Sequence, residues 1–221
     1  MPTSVSHSPL QQELAATARH LAAVLPTPAS HTIDAGIAAV QAAGLAQRSR
    51  RAGQTAPDFT LPDATGHLVS LADLLGSGPV VLVFYRGGWC PYCNVQLRAY
   101  DRALSQFMAF GATVVAVSPQ TPELTKLTAA EKNLRFPVLS DTGNVVARQY
   151  GLAYEVGGAV YETLHGVGID LAAYNGDNSG ELPLTGTFVI AQDGRIAWAA
   201  TDANFKERPD PILILAALAQ L

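Results

Sequence analysis

The run Val80-Val81-Leu82-Val83-Phe84-Tyr85 constrains this chain more than any other stretch. It lacks the alternation of a strand with one wet face, so it reads as a central strand buried on both faces. A strand of that kind needs neighbouring strands and helices above and below it. The surrounding sequence supplies both. Asp58 to Leu61 and Leu68 to Ser70 flank an Ala64-Thr65-Gly66 turn and predict a short hairpin. A helix is expected to begin at about Cys90 and run through Leu97, Leu104 and Phe107, followed by a buried strand from Ala112 to Val117. Thr121, Pro122 and Glu123 provide the cap, first-turn proline and first-turn acid of another helix. Phe136 to Leu139 is a short strand, and Asp141 or Thr142 caps a helix through Tyr150 that stops at Gly151. Thr187 to Ala191 and Arg195 to Ala200 pair across Gln192-Asp193-Gly194, and Pro211 to Leu221 closes as an apolar helix. This order implies an α/β chain with a mixed β-sheet sandwiched between helices. Residues 152–183 are rich in glycine and asparagine and predict only a short helical turn at Tyr161 to Leu164.

The first fifty residues differ in character. Leu10, Leu14, Ala18, Leu21 and Leu25 recur at helical spacing behind Ser8 and Pro9, a cap and a first helical position. After a break at Pro26-Thr27-Pro28, Ile33, Ile37 and Val40 predict a second amphipathic helix ending near Gly44. Residues 1–50 are therefore expected to form an N-terminal helical extension to a main domain at 51–221. The two helices either cover a face of that domain or build a contact between two copies of the chain.

Composition narrows the function. Hydrophobic residues make up 48% of the 221 and charged residues 14%, enough apolar material for a sizeable core. The formal net charge is −4, and the basic residues cluster only at Arg48-Ser49-Arg50-Arg51, which reads as a solvated linker. There is thus no electrostatic case for nucleic acid or an anionic membrane as a partner. Polar residues from Gln11 to His20 interrupt the stretch from Leu10 to Val24, which argues against a leader or membrane anchor. Two cysteines are too few for a secreted disulfide scaffold, so a reducing, cytoplasmic compartment is expected.

Those cysteines, in Cys90-Pro91-Tyr92-Cys93, stand where the buried strand hands over to a helix. A thiol on a first helical turn faces unpaired N–H groups and the positive end of the helix dipole, which lower its pKa from about 8.5 to roughly 3.5–7.5. Cys93 lies one turn on, where two Cα atoms can fall within the roughly 4.4–6.8 Å that a disulfide requires. Position makes Cys90 the expected thiolate nucleophile and Cys93 its resolving partner. Arg86 is the nearest cation in sequence, and Trp89 and Pro91 are expected to restrict water around Cys90. Inert buried thiols are the alternative. A zinc or copper site is another, but no second CxxC or paired histidine motif is present, and His20, His67 and His165 are isolated. No metal and no cofactor is expected.

Ala56-Pro57-Asp58-Phe59, Gly66 to Leu71, Val81 to Pro91, Val115 to Pro119, Phe136 to Asp141 and the Thr187 to Ile196 hairpin together resemble the peroxiredoxin superfamily. The stretch Phe84 to Asn94, FYRGGWCPYCN, resembles the peroxiredoxin-like proteins of the alkyl hydroperoxide reductase and thiol-specific antioxidant group. The resemblance runs from about residue 50 to the C-terminus. It implies a thioredoxin-like fold and reduction of hydrogen peroxide or organic hydroperoxides at Cys90, with thioredoxin, glutaredoxin or glutathione as reductant. A homodimer would follow family habit.

The chain departs from the family pattern around the cysteine. Gly87 stands where a threonine or serine is usual, Arg86 where a proline is usual, and Thr185 where an arginine is usual. Either Arg86 or Arg208 is a candidate for the missing cation, although Arg208 equally reads as capping or solvating the terminal helix. The candidate substrate pocket is Trp89, Pro91, Tyr92, Thr185 and Arg208. Three activities fit these residues: a thiol peroxidase, a dithiol–disulfide oxidoreductase acting on other proteins, and a redox sensor or metal-binding module.

Overall fold

A computed structural model describes residues 8–221, so residues 1–7 of the expected extension lie outside the described residues. The first helix, α1 (Pro9–Val24), starts as its sequence dictates: Ser8 Oγ accepts from Gln11 N–H at 3.3 Å, and Pro9 sits in the first turn. After the proline break comes α2 (Thr27–Ala42), then Gly44 in the left-handed region (φ 64°) and a 3₁₀ turn at Leu45–Arg48. Strands β1 (Thr60–Pro62) and β2 (Leu68–Ser70) form the antiparallel hairpin. Asp63 closes it by accepting from the N–H groups of Thr65 at 2.7 Å and His67 at 3.0 Å.

The chain continues through α3 (Leu71–Ser77), β3 (Val80–Phe84), α4 (Pro91–Arg102), α5 (Leu104–Met108), β4 (Thr113–Ser118) and α6 (Pro122–Glu131). Then follow β5 (Val138–Ser140), α7 (Val145–Gln149), β6 (Ala153–Glu155), α8 (Gly158–Gly166) and α9 (Leu171–Asn175). The last elements are β7 (Glu181–Pro183), β8 (Thr185–Ile190), β9 (Ile196–Asp202) and α10 (Pro211–Leu218). Five strands make one mixed sheet in the order β5-β4-β3-β8-β9, parallel from β3 through β4 to β5 and antiparallel across β3, β8 and β9.

The apolar run occupies the middle strand. Strand pleating sends Val81, Val83 and Tyr85 to one face, packed with α1, α4, α5 and α10. It sends Val80, Leu82 and Phe84 to the other, where Phe84, Tyr150 and Phe188 interlock with ring centroids 5.0–6.0 Å apart. Leu10 and Leu14 of α1 are buried in the first of these cores, so α1 covers a face of the sheet layer.

Two expectations change. The helix drawn from Cys90 to Phe107 is interrupted at Ala103 (ψ −1°), giving α4 and α5. Residues 152–183 hold far more structure than one turn, because Val156, Leu164, Leu171 and Leu182 are four apolar residues far apart in sequence that close into a small core. Asp141 does act at α7, its carboxylate accepting from the N–H groups of Val146 (3.0 Å) and Ala147 (2.8 Å).

Candidate active site

The loop from β3 to α4 is held by the shape of two glycines and by one buried amide. Gly87 has φ 148°, and a Cβ there would lie 2.4 Å from Trp89 Nε1. At Gly88 a Cβ would lie 2.3 Å from Thr128 Oγ1. Gly88 N–H donates to Gln120 Oε1 at 2.8 Å, and Gly88 O accepts from Asn94 Nδ2 at 2.8 Å. Gln120 Oε1 also accepts from Thr128 Oγ1 at 3.3 Å and the Tyr85 hydroxyl at 3.4 Å. Gln120 is buried and is a positioning residue that sequence reading missed; a lone glutamine at a strand end carries no motif.

Cys90 occupies the N-cap of α4, with extended backbone angles (φ −88°, ψ 112°) and N–H bonded to Gly87 O at 3.1 Å. Its side chain does not bond to the free N–H groups of the helix. Its thiol instead donates to Cys93, and both residues are free, buried cysteines. This moves the charge away from where the sequence placed it. Burial raises the Cys90 pKa, and the hydrogen bond to Cys93 and the charge of Cys93 raise it further, against the opposing pull of Arg86 and Arg208. At Cys93, burial is outweighed by the hydrogen bond from Cys90 and by the positive charges of Arg208 and Arg86, which bring its pKa down to about 5. The pair therefore holds one proton and one negative charge at neutral pH, with the charge centred on Cys93.

Both candidate arginines face the pair. Arg208 is 4% exposed and Arg86 3%. Arg208 Nη2 donates to Cys93 Sγ at 3.3 Å, while its Nη1 donates to the carbonyls of Phe205 and Glu207. The α10 cap is instead supplied by Asp210, which accepts from Ile212 N–H. The Arg86 guanidinium stacks between rings, 3.8 Å from the Phe205 centroid and 4.9 Å from that of Trp89. Among the described residues neither arginine pairs with a carboxylate. Two buried guanidiniums favour a counter-charge, and the Cys93 thiolate supplies one, in contact with Arg208.

The pocket predictions divide. Cys90, Arg86, Trp89, Pro91 and Tyr92 line one cavity of about 260 Å³, together with Phe205, while Cys93 does not reach it. Pro91 is solvent-exposed while lining the cavity beside Cys90. Shielding comes from Tyr92, buried against Phe205 at a centroid distance of 6.0 Å, and from α1, α2 and α8 above. Thr185 does not line this cavity. Strand pleating points it, with Thr187, toward a separate cavity of about 400 Å³ shared with Gln96, Trp198 and Arg208. Among the described residues no group of His, Cys, Asp and Glu is arranged to hold a metal, and no helix is long and apolar enough to cross a membrane.

A hydrogen-bonded dithiol at the start of the helix after the central strand of a mixed sheet, flanked by buried cations, defines a thiol-dependent oxidoreductase on a thioredoxin-like fold. The chain belongs to the AhpC/TSA family, whose model matches residues 52–199. A Mycobacterium tuberculosis protein assigned to the peroxiredoxins is 35% identical over 147 residues, 66% of this chain and 82% of the relative. Peroxiredoxin Bcp of Escherichia coli is 28% identical over 165 residues, 74% of this chain and 93% of the relative. Among solved structures, peroxidoxin BcpB from M. tuberculosis superposes with TM-score 0.61 at 24% identity, covering 77% of this chain and 97% of that one. The family and the paired cysteines make the chain a thiol peroxidase of the peroxiredoxin class.

Proposed function

We propose that Cys90 is the sulfur that attacks the peroxide and that Cys93 serves first as its base and then as its resolving thiol. The observation that supports this division is access: Cys90 lines the cavity, and Cys93 lies behind it. A hydroperoxide enters with its O–O bond toward Cys90. As the Cys90 sulfur attacks the terminal oxygen, its proton passes along the existing hydrogen bond to Cys93. The O–O bond breaks, the proton reaches the leaving alkoxide by way of Cys93, and Cys90 becomes a sulfenic acid. The Cys93 thiolate then attacks that sulfur and expels the hydroxyl, which takes a proton from solvent and leaves as water. The sum is a dithiol monoanion, a hydroperoxide and a proton giving a disulfide, an alcohol and water. Arg86 and Arg208 stabilise negative charge throughout, as preorganised cations in a water-poor site.

A thiol-type reductant such as thioredoxin, glutaredoxin or glutathione, in a reducing cytoplasm, returns the disulfide to dithiol. The competing reading is a disulfide oxidoreductase acting on other proteins; a protein reductant of the peroxidase must reach the same buried pair, so peroxide turnover, not access, separates the two. The test is consumption of hydrogen peroxide and organic hydroperoxide by the reduced full chain. Rapid consumption, lost in Cys90→Ser, is expected. Reduction of insulin disulfides with no peroxide turnover would select the competing reading.

A further inference from the structure

The two buried cations at the cysteine pair are anchored in different ways. Arg208 is held by hydrogen bonds, to Cys93 and to the carbonyls of Phe205 and Glu207. Arg86 gives its backbone N–H to Cys93. Its side-chain Nε–H has no hydrogen-bond partner, and among the described residues no carboxylate pairs with its guanidinium. What orients that guanidinium is stacking, and the Phe205 ring, at 3.8 Å, is nearer than the Trp89 ring at 4.9 Å.

Phe205 also stands on the turn that delivers the other cation, three residues before Arg208. Bonds within the turn fix its shape: Asn204 N–H donates to Asp202 Oδ1 at 2.8 Å, and Asn204 Oδ1 accepts from Lys206 N–H at 3.1 Å. Bonds from the N-terminal helices fix its place. Lys206 pairs with Asp34 of α2, and Gln11 of α1 donates its side-chain N–H to Arg208 O at 3.0 Å. All of these residues lie outside the family-matched range of 52–199.

A guanidinium is attracted to an aromatic face, and the attraction grows as water is excluded. Phe205 is partly buried against the core that holds both cysteines, with its ring at the edge of Tyr92. A cation strengthens a nearby thiolate through its fixed position, because the same charge swung into water is screened. The charged groups acting on the pair are Arg86 and Arg208. The phenols of Tyr85, Tyr92 and Tyr154 also face it, and burial raises their pKa values, so they stay neutral.

We propose that Phe205 is a positioning residue for the reaction: its ring fixes the Arg86 guanidinium beside the two sulfurs, while its turn carries Arg208 to Cys93. The rate effect rests on the peroxidase reading of Cys90, whereas the effect on thiolate ionisation stands without it.

The test compares Phe205→Leu, Phe205→Tyr and Arg86→Met in the full chain. The thiolate midpoint is read by ultraviolet absorbance of the reduced protein, and kcat/KM is read with hydrogen peroxide at neutral pH. Phe205→Leu keeps the carbonyl and removes the ring face. It should raise the midpoint by about one pH unit and lower kcat/KM about tenfold, both being the equivalent of one lost stacked cation. Phe205→Tyr keeps the face and should keep both wild-type values. In an Arg86→Met background Phe205→Leu should add little, because the ring acts through that guanidinium. Circular dichroism selects folded protein, and Phe205→Met, ringless and flexible, takes the place of Phe205→Leu if the latter does not fold. An unmoved midpoint in the ringless variant, an equal shift in Phe205→Tyr, or full additivity with Arg86→Met overturns the proposal. A wild-type chain that consumes no hydroperoxide overturns the peroxidase reading and leaves the titration to decide the role of Phe205.

Discussion

Arg208 Nη2 stands 3.3 Å from Cys93 Sγ, although 115 residues separate the two in sequence. This contact is one of the causes, after the hydrogen bond from Cys90, that favour the charge of the pair on Cys93. In the wild type, the Cys93 pKa of about 5 keeps one thiolate in the pair at neutral pH. As pH falls through that value the pair takes up its second proton and loses the base that receives the Cys90 proton. The kcat/KM for peroxide is therefore expected to decline below about pH 5. Arg208→Met removes a cation that favours the charged form, so the thiolate titration moves to higher pH and the acid limb of kcat/KM moves with it. Thiolate ultraviolet absorbance against pH, read beside the rate profile, checks both. An unmoved titration would mean that Arg86 and the Cys90 hydrogen bond suffice.

Cys93→Ser leaves Cys90 facing the cavity but removes both the base and the resolving sulfur. The first oxidation is expected to slow by roughly 10²-fold or more, the usual contribution of a positioned base. The sulfenic acid then persists and meets further peroxide, so mass spectrometry should find sulfinic acid on Cys90 in the variant and a disulfide in the wild type. A variant that oxidises at wild-type rate would remove Cys93 from the proton path.

Gln120 holds the loop that presents Cys90, through the Gly88 N–H at 2.8 Å and the Thr128 hydroxyl at 3.3 Å. Gln120→Leu keeps much of the volume and strands the Gly88 N–H in a buried place, while the Thr128 hydroxyl keeps the Leu124 carbonyl at 2.9 Å. The expected loss is roughly 1–3 kcal/mol of stability, measured by denaturant unfolding. Gln120→Glu retains an acceptor for the same donors and should recover part of the peroxide kcat/KM, an effect that a merely packed side chain would not show.

Gly88 has no room for a side chain, since a Cβ would sit 2.3 Å from Thr128 Oγ1 and 3.1 Å from Thr128 Cγ2. Gly88→Ala is expected to cost roughly 1–3 kcal/mol through overpacking. Adding Thr128→Ala removes the two nearest atoms and leaves Thr128 Cβ at 3.2 Å, so the double variant should be less destabilised than the two single losses combined. Simple additivity in unfolding measurements would show that the loop yields elsewhere.

Much of this protein was legible in its residues. The unbroken apolar run could only be a strand covered on both faces, and the caps at Ser8 and Thr121 mark helix starts that act locally and appear where expected. CPYC at the end of that run located the reactive pair, because helix geometry brings positions three apart together whatever the rest of the chain does. What local patterns could not supply were relations between distant segments. Arg208 reaches Cys93 because β9 and the turn through Phe205 deliver it there. The charge sits on Cys93 because the hydrogen bond from Cys90, with the buried cations Arg208 and Arg86, outweighs its burial. Thr185 leaves the site because of the face its strand presents, and Gln120 enters it across the loop from Gly88. Periodicity in α1 and α2 showed two apolar stripes, but only packing showed that one enters the core and the other roofs the cavity over the sulfur. Elements follow from neighbours in the chain. The ionisation of a buried sulfur and the shape of the space before it follow from neighbours in space.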